Sequence, residues 1–546
     1  MSAVIAPSPS SVEEGRLGER RRGFAAGWAA LDASGMRTFW LVCATVLVAQ
    51  FIGLVVYSAY LYRRFDLTDD FATYAQAWWA IGHGHLDPID TIQTPTYPFW
   101  QSHFELAMWP IALIGRVWPH SVQLLWLQDL ALVATEWLAM AWVAAICAAR
   151  SGRARTFVAL VALVFLVVNP WWYLAASFDV HFETLGLPFV VLSGYSLWCG
   201  RPRTAVVVAA VGVLFGDVVA LAVLCVGIAA LVSRHARRAS GTKAPLAVTL
   251  LSAGWVVLAT ALDANKGSGI VTNYGWLVGA TPDASSGWVL GHLALHPFHV
   301  VRELFGRIGG IGRVLASAGL VGVVTPFGFF VALGILGPTA LNANKAFLSP
   351  TIAFQTLAVI PFVFVGSVIV LLRIAWPSRA APPSPAQDPG EPAERAGTLP
   401  WRPVAAGALA VALVTVSLVQ SLPLYGTIRT DWWRVDGRSA AVLATAVDRV
   451  PSGAEAVVSQ GVIGRFAGRT ELYPLLAAPQ RFPVHARQVD FVIVPSAGIE
   501  SIPAGEAEQV RASLLEHQRA SLVFEADGVS VLSWRPPPGV SSVVLP

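Results

Sequence analysis

The sequence predicts an α-helical polytopic membrane protein with a small α/β unit at its C-terminal end, and three observations carry that prediction. Of its 546 residues, 55% are hydrophobic and 13% charged, whereas a soluble domain carries about 25% charged residues. Apolar stretches of roughly bilayer-crossing length recur from Thr38 to Leu422. After Tyr425 they give way to short alternating runs between helical ones, the pattern of a small α/β unit. A mean hydropathy of +0.60, with 47 Gly, 36 Pro and 21 Trp, fits helices that are apolar all round, broken by turns and edged by interfacial aromatics. This composition excludes an ordinary soluble enzyme.

Residues 1–37 are Ser/Pro-rich and then Arg-rich (Arg16, Arg20, Arg21, Arg22, Arg37), a composition expected to leave a disordered cytoplasmic tail. Thr38–Tyr62 is the first span, too long for the apolar region of a signal peptide and without a small-residue cleavage site. The net charge of +4 comes from Arg clusters beside apolar runs, and no basic face points to nucleic acid. All four Cys (Cys43, Cys147, Cys199, Cys225) lie in apolar segments, so no disulfide framework or Cys-based metal motif is expected.

Basic residues orient the remaining segments. Residues 63–122 read as one outer loop with interfacial helices over 71–81 and 103–118. A span over 104–118 would instead carry Arg150, Arg153 and Arg155 outside. Gln123–Cys147 runs in, Thr156–Ala176 out, and Leu185–Trp198 in again to Arg201 and Arg203. Residues 204–233 join two cytoplasmic basic clusters and form a hairpin with Gly216-Asp217 at its outer apex. Leu246–Leu262 leads to an outer loop over 263–312; Arg313–Gly337, interrupted by Pro326, is a second hairpin, and Thr351–Arg373 runs in. A Pro-rich linker over 377–400 stays flexible, and Val404–Leu422 is the last of about eleven crossings. The expected division is a tail over 1–37, a transmembrane domain over 38–425 and an extracytoplasmic α/β domain over 426–546, in the cytoplasmic (inner) membrane. In the last, helices are expected over 439–449 and 506–517, with strands around AVVSQ, VDFVIVP, ASLVFEA and VSVLSW.

No P-loop, GxSxG, HExxH, dinucleotide fingerprint or internal repeat occurs, so any chemistry comes from polar clusters gathered at one face. Asp66, Asp69 and Asp70 have i, i+3, i+4 spacing, and a helix starting at Asp66 sets them on one face. Crowded carboxylates raise one another's pKa, which suits a general base or a metal site; helix capping is the competing reading. Asp179-Val180-His181-Phe182-Glu183 points three polar groups to one side if extended, between apolar segments where charge is costly. The alternative there is a solvated turn with Asp179 as the cap of the next helix. His103-Phe104-Glu105 opens the second interfacial helix. His with carboxylates suits Mn or Zn, and carboxylates alone Mg, so a divalent cation (Mg or Mn) is a candidate cofactor, although no diagnostic spacing marks it. Asp129 and Glu136 share a face of their span and mark either a polar path or a buried structural pairing. His292, His296 and His299 fit a metal face or a solvated amphipathic helix, and the lack of an acidic partner favours the latter.

The strings DFATYAQAWW (70–79), Gly82-His83-Gly84, His103-Phe104-Glu105-Leu106 and Phe178-Asp179-Val180-His181-Phe182-Glu183 resemble those of a family of uncharacterised bacterial, often actinobacterial, membrane proteins. That family is in turn similar to the GT-C glycosyltransferases. The resemblance covers most of the chain, α/β tail included. It implies a GT-C-like fold with two interfacial helices in the first outer loop, an acidic residue at the start of that loop, a polyprenyl-phosphate sugar donor and a soluble extracytoplasmic domain. Asp70, or its neighbours Asp66 and Asp69, matches the acidic position. The hairpin apex departs, because Phe215-Gly216-Asp217 stands where the family usually has a Lys-Glu-Asp-like triplet, and this counts against a catalytic role for the apex.

The expected activity is therefore transfer of a sugar from a polyprenyl-phosphate donor to a cell-envelope glycan, glycolipid or protein. Asp70 would be the general base, and His103, Glu105, Asp179, His181 and Glu183 would orient donor or acceptor. Arg302 or Arg307 would hold the phosphate. A transporter or flippase, supported by Asp129, Glu136 and the Pro326 hairpin, and a non-catalytic envelope assembly protein are the alternatives.

Overall fold

The computed structural model describes residues 9–92, 96–102, 104–148, 152–263, 269–281, 283–375, 401–431, 435, 437–476, 479–494 and 502–545. His103 and the linker expected over 377–400 lie outside these. Helix α1 spans Pro9–Arg64, and its apolar part, Met36–Arg64, is long enough to cross a membrane. Its backbone reaches back into the stretch expected to be a disordered tail. A helix already nucleated by an apolar span extends into flanking sequence at propagation cost only, and Glu, Arg and Leu over 13–22 favour that extension.

A turn at Phe65, with φ of 61°, leads into α2 (Asp69–Gly82), the ribbon of β1 (Ile89–Asp90) and β2 (Tyr97–Pro98), and short helices α3 (Phe99–Ser102) and α4 (Met108–Ala112). Then follow α5 (Val122–Cys147), α6 (Gly152–Val167), α7 (Pro170–Ser177), α8 (Phe182–Trp198), α9 (Pro202–Gly212), α10 (Asp217–Val232), α11 (Arg234–Ser240) and α12 (Lys243–Asp263). Shorter helices α13 (Gly269–Tyr274), α14 (Ser286–Leu295), α15 (Pro297–Gly306) and α16 (Ile308–Ser317) precede α17 (Pro326–Leu341), α18 (Val359–Ala375) and α19 (Trp401–Asp431). Among the described residues five stretches are long and apolar enough to cross a membrane, and α10 with α11, bent by 91°, makes a broken sixth. Shorter apolar helices such as α17 and α18 fill the space between them. Close approach is built in: a Cβ on Gly227 of α10 would meet Thr249 Oγ1 of α12 at 2.5 Å.

The helices alternate in direction. The C-terminal ends of α1 and α12 therefore meet the N-terminal ends of α2, α8 and α10 at one end of the bundle. Arg201 and Arg203 follow the opposite end of α8, and Arg234, Arg237 and Arg238 that of α10.

The C-terminal region holds α20 (Gly437–Arg449), β3 (Glu455–Ser459), β4 (Leu472–Leu475), β5 (Gln480–Pro483), β6 (Val489–Ile493), α21 (Ala504–Glu516), β7 (Ser521–Ala526), β8 (Val529–Trp534) and β9 (Ser542–Leu545). Five strands form a mixed sheet in the order β4-β3-β6-β8-β7, while β5 and β9 pair separately. Strands β3 and β6 are buried along their whole length, Glu455 and Asp490 included.

This region clamps α2. Gln76 donates to Thr470 O at 2.9 Å and to Thr91 Oγ1 at 2.8 Å, and Thr91 Oγ1 donates to Leu472 O at 2.6 Å. Arg465 lies 4.4 Å over Phe65 and 5.1 Å over Tyr62. On the opposite side Trp78 touches Gly115, where a Cβ would sit 3.0 Å from the indole. Helix α2, read from sequence as interfacial, is thus buried on all sides except at Trp79 and its first turn. Its periodicity matched an interfacial helix because the surfaces covering it are as apolar as a lipid interface. The second expected interfacial helix does keep an open apolar surface, with Leu113 and Val117 exposed after α4.

Candidate functional site

At the acid-bearing end of the helices lies a cavity of about 320 Å³ whose polar walls are Asp70, Tyr74, Gln101, Glu105, His181, Glu183, Asp217 and Gln355. Trp100, Phe104, Phe347 and Phe354 supply its aromatic walls. Asp70 is in the first turn of α2; its Oδ2 lies 3.4 Å from Nε2 of His181, and its side chain is about half exposed while that of His181 is buried.

His181 is held from several sides. Its N–H donates to Gln128 Oε1 at 2.8 Å, its Nδ1 lies 3.2 Å from the Asp179 carbonyl, and its ring stacks on Phe354 with centroids 3.4 Å apart. Gln128 of α5 also donates to the carbonyls of Ala175 and Asp179, which fixes the α7–α8 turn. Burial alone would lower the His181 pKa. The hydrogen bond and charge of Asp70, with the charges of Glu183 and Asp179, outweigh it and lift the ring above 6.5. The contact with His181 Nε2 orients the Asp70 carboxyl group at the cavity wall.

Glu105 is 6% exposed; its Oε1 accepts from Tyr74 OH at 3.1 Å, and its buried Oε2 has no hydrogen-bond partner. Burial, then the charge of Glu183, raises its pKa well above the ordinary carboxylate value, against the Tyr74 hydrogen bond. Burial likewise raises Tyr74, helped by the charges of Glu105, Glu183 and Asp70. Asp217 begins α10, and Gly216 before it has φ of 118°, a backbone state that favours glycine. A Cβ there would press on Glu105 Cγ at 3.2 Å. The apex that the sequence marked as a departure from the family pattern therefore contributes to the cavity.

Other candidates go elsewhere. Asp66 does not begin a helix with Asp69 and Asp70: it lies with Leu67 and Thr68 in a non-helical stretch after the Phe65 turn, α2 starts at Asp69, and Asp66 accepts from Val435 N at 3.2 Å. Asp69 is partly buried and does not line the cavity. Asp179 is a cap, yet not of the helix that follows it: its carboxylate accepts from Thr68 N and Oγ1 and from Phe71 N, at the start of α2. Arg302 is exposed, beside His299 and Glu303, because the opposite face of α15 packs on α17. Arg307 donates to Asn342 O at 3.0 Å and lies over Trp276.

Arg307 does line a second cavity of about 350 Å³, with Arg313, Lys345 and Ser349. The one-turn helix Lys345–Leu348 separates the two cavities, with Phe347 on the acid side and Lys345 and Leu348 on the basic side. Sequence reasoning passed over Arg313 and Lys345 because they are far apart in the chain and neither belongs to a motif.

Among the described residues no three His, Cys, Asp or Glu converge closely enough to hold a metal ion. The acid cavity therefore does not fit the expected divalent cation, and no step is routed through one. The His292, His296 and His299 face is broken between α14 and α15 at Pro297; His296 is exposed and the other two are half-buried. Asp129 and Glu136 accept from Ser58 Oγ and Gln50 Nε2, pairing α5 with α1.

Fold and site define the class as a polytopic helical membrane protein with an acid-lined cavity at one end of its bundle. More particularly, a family model described as "Predicted membrane protein (DUF2079)" matches residues 62–531, and the chain belongs to that family. No curated protein matches it. Among solved structures it is similar to the crystal structure of ArnT from Cupriavidus metallidurans bound to undecaprenyl phosphate. The TM-score is 0.43 and the identity 11%, over 89% of this chain and 97% of that one.

Proposed function

We propose that the protein is a GT-C-type glycosyltransferase that moves a sugar from a polyprenyl-phosphate donor to a cell-envelope acceptor at the outer face of the cytoplasmic membrane. The observation that carries the reading is the Asp70–His181 pair, 3.4 Å apart on the wall of a cavity with mixed carboxylate and aromatic lining. Arg201 and Arg203 after α8, and Arg234, Arg237 and Arg238 after α10, lie at the opposite helix ends, which by the positive-inside rule supports an outer-face cavity.

In the proposed reaction Asp70 takes the proton of the acceptor hydroxyl as its oxygen attacks the anomeric carbon. The bond from that carbon to the phosphate oxygen breaks, and polyprenyl phosphate leaves with the electron pair. His181 holds Asp70 in place. The leaving phosphate needs cations more than a general acid, and the neighbouring cavity offers Arg307, Arg313 and Lys345. A lipid phosphate there sits beside the apolar groove of Leu304, Ile308, Ile311 and Leu315 on the same helices.

A transporter reading draws on Asp129 and Glu136. Both are bonded to α1 within an unbroken helix, which favours a structural pairing. The test is polyprenyl-phosphate binding and sugar transfer by the full chain in lipid, wild type beside Arg313→Ala and Lys345→Ala. Each substitution is expected to weaken donor binding about tenfold. Undiminished donor binding in both variants would contradict this phosphate assignment.

A further inference from the structure

The end of the bundle opposite the acid cavity is built from two turns that bring cations together. Helix α8 is followed by Gly200, whose φ of 74° turns the chain toward α9 and leaves Arg201 and Arg203 exposed. Helix α11, bent by 91° from α10, carries exposed Arg234, Arg237 and Arg238, and exposed Lys243 follows the Gly241 turn. The two segments touch. A Cβ on Gly200 would sit 3.0 Å from Ala239 O, Ser240 Oγ donates to Leu197 O at 2.7 Å, and the rings of Trp198 and His235 stack with centroids 4.0 Å apart. We propose that this surface binds the phosphate headgroups of anionic phospholipids in the leaflet it faces, a site apart from the acid cavity and independent of the glycosyl-transfer reading.

The local structure is set before any lipid arrives. Ser233 caps α11 by accepting from Ala236 N at 3.3 Å, and Ala236 is buried while the three Arg point away. Three Arg and one His in seven residues cannot continue the apolar path of α10 through a bilayer. The right-angle bend instead lays α11 along the membrane surface, the position of an interfacial helix.

Charge selects the ligand. Asp217, at the far end of α10, is the only acidic residue between Trp198 and Leu262. Among the described residues none of the six cations forms an ion pair. Arginine presents a planar fork that matches phosphate oxygens, and each cation beside an anionic leaflet strengthens attachment about fivefold. The surroundings favour a lipid over a soluble acidic partner. Val232 directly precedes the α11 cap, Val207 is four residues past Arg203 and Leu246 three past Lys243, and all three are exposed apolar side chains. An amphiphile meets both surfaces, its phosphate on the arginines and its chains on the valines and leucine.

The test reconstitutes the full chain in phosphatidylcholine and adds trace spin-labelled phosphatidylglycerol or phosphatidylcholine. Paramagnetic resonance reads the fraction of each label immobilised by the protein. The wild type is expected to prefer phosphatidylglycerol about fivefold at low salt, and less at high salt. Replacing the α11 arginines together (Arg234→Gln, Arg237→Gln, Arg238→Gln) is expected to bring the preference close to one. The same three positions changed to Lys should retain it, which separates lost charge from lost fold. Arg481→Gln, Arg487→Gln and Arg535→Gln together, at exposed positions of the C-terminal region, match the change in net charge and should also retain it.

Equal immobilisation of the two lipids by the wild type overturns the proposal, as does a preference that survives the α11 Gln substitutions. Loss of the preference in the Lys variant or in the C-terminal variant overturns it as well. Hexaglutamate bound by the wild type in phosphatidylglycerol bilayers, and not by the α11 Gln variant, would make the surface a dock for an acidic protein and remove the lipid assignment.

Discussion

Asp179 is the residue for which sequence and structure disagree most usefully, and its replacement separates capping from substrate contact. It is 4% exposed, and its carboxylate accepts from the backbone N–H groups of Thr68 and Phe71, at 3.0 and 3.2 Å, and from the Thr68 hydroxyl. These are donors at the start of α2, so Asp179 caps that helix from 111 residues away. An N-cap alone contributes about 1 kcal/mol. Removing it from a buried site also strands two N–H groups and a hydroxyl, and the sum for Asp179→Ala is about 3–5 kcal/mol. Asp179→Asn keeps one acceptor oxygen and costs about 1–2 kcal/mol. Fraying of the first turn moves Asp70 away from His181, so turnover falls in the same order as stability. Unfolding followed by Trp fluorescence in detergent, with sugar transfer on the same samples, gives both readouts. An Asn variant with the wild-type unfolding midpoint and no transfer would refute this reasoning and place Asp179 on the substrate.

Three further outcomes follow from the same geometry. Gly464→Val should loosen the C-terminal region from α2 and destabilise the protein by about 1–3 kcal/mol, because a Cβ at Gly464 meets Leu67 at 2.9 Å and Phe71 at 3.0 Å; faster hydrogen exchange over 69–82 is the check. Stability should fall as pH rises, since Glu105 and His181 both have folded pKa values above their ordinary 4.5 and 6.5. The stabilising protonation is complete below the ordinary values and is lost as pH climbs through the raised ones. Glu105→Gln, which holds the neutral form at every pH, should flatten the unfolding profile above the ordinary carboxylate value of 4.5; an unchanged slope would contradict the assignment.

Much of this arrangement is legible in the sequence, for reasons that also explain where legibility ends. Hydropathy reveals long apolar helices, and charge counting gathers Asp70, Glu105, His181 and Glu183 at one face because helix direction alternates. The apex Asp217 joins them by the same logic, although motif comparison argued against it. Alternation does not reveal side-chain direction. Asp66 and Asp179 belong to the right loops, yet one turns to Val435 and the other to the start of α2. The Phe65 turn that ends α1 just before Asp66 depends on a positive φ at a bulky residue, which no propensity announces. In the C-terminal region, α20, α21, β3, β6, β7 and β8 follow from periodicity. The strand β4 does not, because it is short and contains Pro474. Arg313 and Lys345 meet only through the packing of α16 near the Lys345–Leu348 turn, a contact that sequence spacing does not encode.

The central claim is that Asp70 is the base of a polyprenyl-phosphate-dependent sugar transfer. The most direct measurement is transfer from a panel of radiolabelled polyprenyl-phosphate sugars by the full chain in lipid, wild type beside Asp70→Asn, with unfolding midpoints recorded for both. The account predicts that the wild type consumes one donor, that Asp70→Asn lowers its turnover by about 10²–10⁴, and that donor binding and folding persist in the variant. Normal turnover by Asp70→Asn, or no consumption of any donor by a wild type that binds polyprenyl phosphate, would contradict it.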